Sequence, residues 1–320
     1  MRTSINLELT NKCNTKCITC PREHLKKIGE MSVNDFKIFL KRLSKDMKKI
    51  SMVNFSGYGE VILHRDFFEI VDHVKTFNKG LISKNRKPMK FAIVTNGYSL
   101  DKKRLEAIEG VFDRLSINFS TINPDNYKKV CNLNHEKVIS NIKLARKILK
   151  KTKIVIHLIP TKFTLDDIQS TVKYWRKRGI KEIILFPFTF NRGGNLEIDE
   201  NLEIDQKRNL KLARKLKLRQ LEEVFIPGFK DFLLGVLRRN ICLTMSVCLY
   251  IDFQGNYHYC INDISSQCIT GNIKEISISE ILKKHSKMSS EICIYCNLKK
   301  GINKISVIRI YLNSLLSGKI

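Results

Sequence analysis

Residues 5–20 read INLELTNKCNTKCITC, a short strand-like segment that runs directly into three cysteines. Cys13, Cys17 and Cys20 form a CxxxCxxC pattern on a loop that we expect after the carboxyl end of this strand. Three thiolates within eight residues suit three corners of a cubane iron–sulfur cluster, and they leave its fourth iron open for another ligand. The alternatives are a zinc site with His24 as the fourth ligand, or buried thiols.

A strand–helix alternation continues from this segment to residue 186. Apolar residues recur at helical spacing from Ser32 to Ile50, and Ser32 with Asp35 predicts an N-terminal capping pair. Six βα-like units in a row predict an α/β fold, a parallel sheet curled into a partial (β/α)6, TIM-like barrel, with the chemistry in the loops after the strands. The strands are expected at 5–9, 52–56, 90–95, 114–119, 153–159 and 181–186, and the helices at 32–50, 66–77, near 101–110, 135–150 and 165–178.

Polar turn motifs follow the second and third predicted strands. FSGYGE at 55–60 contains Gly57 and Gly59, which allow a tight turn that exposes backbone polar groups beside Glu60. The third strand ends in Thr95-Asn96-Gly97. Each motif alone is typical of an ordinary turn. Because both are expected on the rim that carries the cysteines, together they indicate a ligand site.

This ordered set of motifs resembles the radical S-adenosylmethionine (SAM) superfamily across roughly residues 5–195. The resemblance implies a 4Fe-4S cluster on Cys13, Cys17 and Cys20 whose unique iron chelates SAM. One electron then cleaves SAM to methionine and a 5′-deoxyadenosyl radical, which abstracts a substrate hydrogen. It also implies a reductant such as flavodoxin or ferredoxin. We assign no catalytic residue beyond the cluster and SAM.

The resemblance further implies which residues contact SAM. The GGE motif that holds the SAM amino group corresponds to residues 58–60, and polar residues after strand four reach the ribose or the methionine part. A stretch after strand six lies beside the adenosine or contacts substrate. The implied contacts are Tyr58, Gly59, Glu60, Asn96, Asn118, Ser120 and Arg192.

Four positions depart from the family pattern. Thr19 stands where many members have an aromatic residue, and Tyr58 replaces a glycine. Val61 stands where proline is common, and Cys131 stands where an arginine often helps to bind the SAM carboxylate. These departures motivate one alternative, a member that keeps the fold but binds SAM poorly.

The carboxyl-terminal cysteines resemble the SPASM auxiliary-cluster domain in its shortened, single-cluster twitch form. Gly255 lies between Cys242 and Cys260, and CIYC follows at 293–296. The resemblance implies a second, auxiliary 4Fe-4S cluster. Cys248 or Cys268 could replace one of its ligands, and four thiolates also suit structural zinc. The implied ligands are Cys242, Cys260, Cys293 and Cys296.

The motifs divide the 320 residues into four parts. We predict a radical SAM core at 1–200 and a helical connector at 201–240, where basic, leucine-rich sequence precedes a Pro-Gly break. The auxiliary-cluster domain is predicted at 241–300, and a tail that packs on the body at 301–320.

Composition narrows the class of protein. Hydrophobic residues make up 43% of the chain, enough for a core, and no stretch approaches the roughly 18 apolar residues of a membrane span. The start lacks an apolar signal core, so we expect a cytoplasmic protein without structural disulfides. Lys+Arg 58 against Asp+Glu 31 gives a net charge of +27. That charge fits an acidic leader peptide or an anionic small molecule, and the alternative is a general bias of the sequence toward lysine, isoleucine and asparagine.

These observations predict an oxidoreductase-type radical SAM enzyme, with peptide or protein modification as the expected function. One alternative is dehydrogenation or rearrangement of a small anionic metabolite, such as a sugar, an aminocyclitol or a nucleotide. The other is a zinc-containing nucleic-acid-binding protein. Aromatic residues, 8% of the chain, follow the core periodicity rather than the basic stretches, which argues against nucleic acid.

Overall fold

Ten strands form one sheet in the part of the chain that the structure describes, in the order β10-β9-β8-β1-β2-β3-β4-β5-β6-β7. This computed structural model describes residues 3–186, 206–220, 248–264, 266–285 and 312. Strands β1 to β7 pair in parallel with their sequence neighbours, and helices separate most of them. The parallel order of β1 to β7 confirms the predicted partial TIM-like barrel, and the sheet formed by the described strands does not close on itself.

The strands are β1 Thr3–Leu7, β2 Ile50–Phe55, β3 Phe91–Thr95, β4 Arg114–Asn118, β5 Lys153–Leu158, β6 Glu182–Leu185, β7 Arg219–Gln220, β8 Cys248–Ile251, β9 Asn256–His258 and β10 Ile269–Asn272. The α-helices are α1 Val33–Asp46, α2 Phe67–Ile82, α3 Lys102–Ile108, α4 Pro124–Cys131, α5 His135–Ile148, α6 Ile168–Lys177, α7 Gln206–Lys215 and α8 Ile278–His285. Short 3-10 turns lie at Pro21–His24, Met47–Lys49 and Val61–Leu63.

The sequence pattern predicted these elements well as far as β6, with one omission. The capping pair at the start of α1 is confirmed, because Asp35 N–H donates to Ser32 Oγ over 3.0 Å. Helix α4 was not predicted. Its signal was Asn123-Pro124, since the Asn123 side chain accepts from two backbone N–H groups of the first turn and proline suits the first helical position.

The two faces of the parallel sheet differ in chemistry. Apolar residues of one face, such as Phe55, Ile93 and Ile117, pack with the helices into the main core. Because residues in register on parallel strands point to the same side, Asn6 and Asn54 share the opposite face. Asn54 Nδ2 donates to Asn6 Oδ1 over 3.1 Å. The second face therefore carries polar side chains at these positions, beside apolar residues such as Ala92, which is in register with Asn54.

The carboxyl-terminal segment extends the same sheet. Strand β8 pairs in parallel with β1, and β9 and β10 add antiparallel strands beyond it. The described part of residues 248–285, called the auxiliary segment below, thus joins the sheet beside the strand that leads into the cysteine loop. The helical connector predicted at 201–240 contains α7 and the short strand β7 among its described residues. The four-part division of the chain stays a prediction.

No helix in the described ranges combines the length and apolarity needed to cross a membrane.

Candidate active site at the carboxyl ends of the strands

Cys13, Cys17 and Cys20 lie on the loop between β1 and α1, and each is partly buried. Hydrogen bonds of the Asn11 side chain hold the start of this loop. Asn11 accepts a hydrogen bond from Gly29 N–H over 2.8 Å and donates to Lys27 O over 2.9 Å. These bonds join the two ends of the loop at residues 11–29, which contains the three cysteines.

The carboxyl end of α4 holds the middle of the cysteine loop. Ile18 N–H donates to Val130 O over 2.9 Å, and the Thr15 hydroxyl donates to Cys131 O. The last carbonyls of a helix lack partners within the helix, so the loop satisfies two of them. Cys131 itself is buried, and its thiol donates to Tyr127 O over 3.4 Å. At the position where the family often has a SAM-binding arginine, this chain therefore has a residue that supports the loop.

The donor chemistry of the loop fits a thiolate-ligated cluster. Burial raises the pKa of the Cys17 thiol, and neighbouring Cys131 raises it further. Burial also raises the pKa of the Cys13 thiol. Iron must therefore displace protons when it binds these sulfurs. No group of three His, Cys, Asp or Glu side chains in the described ranges is arranged to hold a single metal ion, and each cysteine of a cubane binds a different iron.

Gly57 and Gly59 are required for close packing rather than for an unusual backbone conformation. A Cβ on Gly57 would lie 2.5 Å from Glu8 Oε2, and one on Gly59 would lie 2.2 Å from Thr10 O. Glu60 N–H donates to Lys12 O over 2.8 Å in the same contact. The loop after β2 therefore lies directly on the start of the cysteine loop.

Glu60 joins the loops after β2 and β3. Its carboxylate accepts from the Thr95 hydroxyl and from Asn96 N–H, each over 2.7 Å. Ile62 N–H also donates to it, over 3.4 Å. Burial raises the pKa of Glu60, the three donors lower it by less, and the resulting pKa is about 7. The contact of Glu60 with the SAM amino group stays a prediction, because its oxygens here accept from the protein's own groups.

The other predicted rim residues lie at strand ends. Asn96 Nδ2 donates to Asn14 Oδ1 over 2.8 Å and lies 4.0 Å from Cys13 Sγ, so it faces the cysteine loop. Asn118 ends β4, with the half-buried Ser120 two residues later. His157 lies beside Asn118 in register on β5, and burial lowers its pKa to about 3, so it is neutral. Arg192 lies outside the described residues.

Glu8 is a site residue that the sequence analysis did not single out. It follows β1 and is buried, and burial raises the pKa of its carboxyl group. Its Oε2 accepts from Tyr58 N–H and from the Tyr250 hydroxyl, each over 2.7 Å. The available signal was an acidic residue inside an otherwise strand-like segment, INLEL. Glu8 thus connects the motif at residues 58–60 to the auxiliary segment.

A buried histidine, His258, lies between two carboxylates of the auxiliary segment. His258 Nε2 lies 2.8 Å from Asp252 Oδ2, and its Nδ1 lies 3.9 Å from Asp263 Oδ2. Burial alone would lower the pKa of His258, but the two carboxylates raise it to about 9. Asp263 also accepts from Cys268 N–H over 2.7 Å. A charged histidine between two carboxylates therefore fixes the turn that contains Cys260.

The auxiliary cysteines differ in their surroundings. Cys260 is partly buried and follows β9, whereas Cys248 lies within β8 beside β1, where burial raises its thiol pKa to about 11. Cys268 is partly buried in the loop before β10. Cys242, Cys293 and Cys296 lie outside the described residues, so their assignments stay predictions.

Comparison with known proteins identifies the family. The Radical SAM superfamily model matches residues 7–174, more than half of the chain. The chain belongs to the radical SAM superfamily. Membership implies SAM and a 4Fe-4S cluster as cofactors, and it confirms the resemblance stated from the motifs.

Two curated relatives of this radical SAM chain act on nucleotides according to their names. One is a probable GTP 3',8-cyclase of Methanocaldococcus jannaschii, 27% identical over 188 residues, which are 57% of this chain and 58% of the relative. The other is an S-adenosylmethionine-dependent nucleotide dehydratase of Selenomonas ruminantium, 29% identical over 176 residues, which are 52% and 60% of the two chains. The chain therefore spans less than two thirds of the length of either relative.

Two solved structures share the fold over almost the whole chain. Streptococcus suis SuiB bound to precursor peptide SuiA has a TM-score of 0.69 at 14% identity, covering 94% of this chain and 70% of SuiB. Native anSMEcpe with bound AdoMet has a TM-score of 0.68 at 16% identity, covering 98% and 97%. At these identities the likeness shows the fold alone, and it extends into the carboxyl-terminal part of this radical SAM chain.

The substitution Gly59→Ala tests the contact between the loop after β2 and the start of the cysteine loop. We expect Gly59→Ala to lose much of the iron at the cysteine loop and about 1–3 kcal/mol of stability, because its Cβ meets only backbone atoms that must shift. Gly80→Ala, on α2 with nothing within 4 Å, is the matched control. It should keep its iron and gain about 0.5–1 kcal/mol. Iron analysis and urea unfolding measure both; full iron in Gly59→Ala would contradict the close contact.

The raised pKa of Glu60 predicts how stability depends on pH. Between about pH 4.5 and about pH 7, Glu60 is ionised in the unfolded chain, whereas Glu60 in the folded chain keeps its proton. Its contribution to stability is therefore fully present below about pH 4.5 and lost as the pH rises to about 7. Because Glu60→Gln cannot ionise, the free energy of unfolding of wild type minus that of the variant should fall across this window. Urea unfolding of metal-free protein measures it, and a flat difference would contradict the buried placement of the carboxyl group.

Proposed function

We propose that this radical SAM chain oxidises a peptide or protein substrate with the help of an auxiliary 4Fe-4S cluster. When bound and cleaved by one electron from the reductant, SAM would supply the 5′-deoxyadenosyl radical that takes one hydrogen atom. The substrate would then lose a further proton and one electron, and an auxiliary cluster held by Cys260 would accept that electron. The electrons balance, with one supplied for cleavage and one collected from the substrate.

The described residues support a SAM cleft on the rim of the barrel. Cys13, Cys17 and Cys20 would hold the site cluster at one side of the rim. Glu60 and Asn96 orient the adjacent loops through the bonds described above, and Asn118 ends β4 farther along the same rim. The assigned SAM contacts rest on the family motif at these positions. The face with Asn6 and Asn54 leads from the rim into the sheet.

The auxiliary cluster rests on the cysteine pattern and on the setting of Cys260. Cys260 is partly buried, and Asn262 N–H donates to its sulfur over 3.4 Å. Amide donors to cysteine sulfur are a common feature of iron–sulfur sites, where they tune the potential. We propose Cys242, Cys293 and Cys296 as its other ligands. Full thiolate ligation suits electron transfer rather than substrate binding.

The observation that carries the substrate proposal is the extent of the shared fold. SuiB was solved with a precursor peptide, and its fold covers 94% of this chain, including carboxyl-terminal residues. The net charge of +27 adds electrostatic attraction for an acidic peptide. We therefore propose an acidic peptide, or an acidic segment of a protein, as the substrate. A cytoplasmic location is part of the same proposal.

A second candidate function is the dehydrogenation or rearrangement of a small anionic metabolite. The named activities of the two curated relatives, a GTP cyclase and a nucleotide dehydratase, favour a nucleotide. The same positive charge would attract a triphosphate. Neither relative is covered over two thirds of its length, so their substrates do not transfer to this chain directly.

Iron analysis tests the two-cluster arrangement. After anaerobic reconstitution we expect about eight irons per chain in wild type and about four after Cys13, Cys17 and Cys20 are all changed to alanine. Cys17→Ala should abolish 5′-deoxyadenosine formation, because the site cluster loses a ligand. Cys260→Ala should keep SAM cleavage and also lose iron. Zinc in place of iron would contradict the proposal, and so would unchanged 5′-deoxyadenosine formation in Cys17→Ala.

Substrate-dependent SAM cleavage separates the two candidate substrates. Short acidic peptides and nucleoside triphosphates would be offered at equal concentration to reduced enzyme, and 5′-deoxyadenosine and product mass measured. A peptide substrate predicts cleavage stimulated by peptide and a product that lacks two hydrogen atoms. Cys260→Ala should keep the stimulation but lose this product. Stimulation by nucleotides alone would overturn the peptide proposal in favour of the second candidate.

A further inference from the structure

One peptide group beside Cys260 is held at both of its ends. Its N–H, from Asn262, donates to Cys260 Sγ over 3.4 Å. Its carbonyl, from Ile261, accepts a hydrogen bond from the hydroxyl of Tyr58. The phenol of Tyr58 is therefore connected through a single amide to the sulfur of a proposed cluster ligand. Nothing in the sequence places Tyr58 and Cys260 together, since they lie about 200 positions apart.

Tyr58 cannot easily turn away from this peptide group. Its own N–H donates to Glu8 Oε2 over 2.7 Å, and the Tyr250 hydroxyl donates to the same oxygen over 2.7 Å. The two tyrosine rings meet edge to face, with centroids 6.1 Å apart at 82°. Tyr58 is only 6% exposed. The residues that surround the pair are Cys20, Leu25, Ile261 and Ile264.

We infer that Tyr58 is a positioning residue that raises the reduction potential of the cluster bound by Cys260, by holding the Ile261–Asn262 peptide with its N–H toward the sulfur. This inference rests on the proposed auxiliary cluster. An N–H dipole aimed at a ligand sulfur stabilises the more negative, reduced state, and the protein sets potentials through such bonds. The hydroxyl on the carbonyl also polarises the amide, which strengthens the N–H donor.

This hydrogen bond depends on the tyrosine at position 58, where the family motif has a glycine. Tyr58 occupies the first position of the motif that resembles GGE, and a glycine there would have no hydroxyl to reach Ile261. Cys20 of the cysteine loop packs against the small cluster that contains Tyr58, Tyr250 and Ile264. Tyr58 itself links the motif at residues 58–60 to the turn after Cys260 through its hydroxyl.

The test measures the auxiliary cluster alone. The full chain with Cys13, Cys17 and Cys20 changed to alanine would be reconstituted, and its remaining cluster titrated with dithionite by electron paramagnetic resonance. Adding Tyr58→Phe removes only the hydroxyl. We expect a more negative midpoint, with the reduced-to-oxidised ratio at fixed potential falling about threefold, comparable to one weakened hydrogen bond. Tyr257→Phe is the matched control, because its buried hydroxyl bonds to Ile276 O over 3.3 Å instead.

A second substitution covers the possibility that Tyr58→Phe does not fold. Replacing Tyr58 by 3-fluorotyrosine keeps the shape and makes the hydroxyl a stronger donor, so the midpoint should shift to more positive values. A midpoint that changes equally in Tyr257→Phe, or that does not respond at Tyr58, would overturn the inference and leave the two-cluster proposal intact. A triple-alanine chain that retains no cluster would overturn the auxiliary-cluster proposal and the inference with it.

Discussion

The backbone of residues 57–60 lies directly on the backbone of residues 8–12, and the position of the cysteine loop depends on this contact. It requires two residues without side chains, Gly57 and Gly59, because a Cβ at either one would overlap Glu8 or the carbonyl of Thr10. The hydrogen bond from Glu60 N–H to Lys12 O closes the contact. Two loops that belong to neighbouring strands are thereby packed directly against each other, which positions the cysteine loop beside the motif at residues 57–60.

Buried carboxyl groups serve a similar purpose beside β1. Glu60 ties the loops after β2 and β3 together, and Glu8 ties the motif at residue 58 to Tyr250. Each carboxyl group is buried and has a raised pKa, so the fold bears a desolvation cost at these places. Costs of this kind are concentrated where residues distant in sequence must keep fixed positions, and here they surround the proposed cofactors.

Periodicity was sufficient for the regular part of the fold because each helix or strand shows its own apolar pattern. The elements from β1 to β6 were predicted to within a few residues, apart from α4, whose start is marked by the Asn123-Pro124 cap rather than by an apolar repeat. The cysteine triad, the glycine motif and Asn96 also came from local sequence. Local sequence did not indicate Glu8, Tyr250 or the carbonyls of Val130 and Cys131, because these groups bond to partners more than 40 positions away.

Local motifs were enough to predict the family, since the order of CxxxCxxC, GxGE and Thr-Asn-Gly after successive strands can be read from the chain. The net positive charge and the two groups of cysteines are equally visible in the residues. That β8 joins the sheet beside β1, and that Tyr58 reaches the turn after Cys260, became visible in the folded chain. Strand pairing is made by backbone hydrogen bonds, so the side chains of one strand do not identify the distant strand that will be its neighbour.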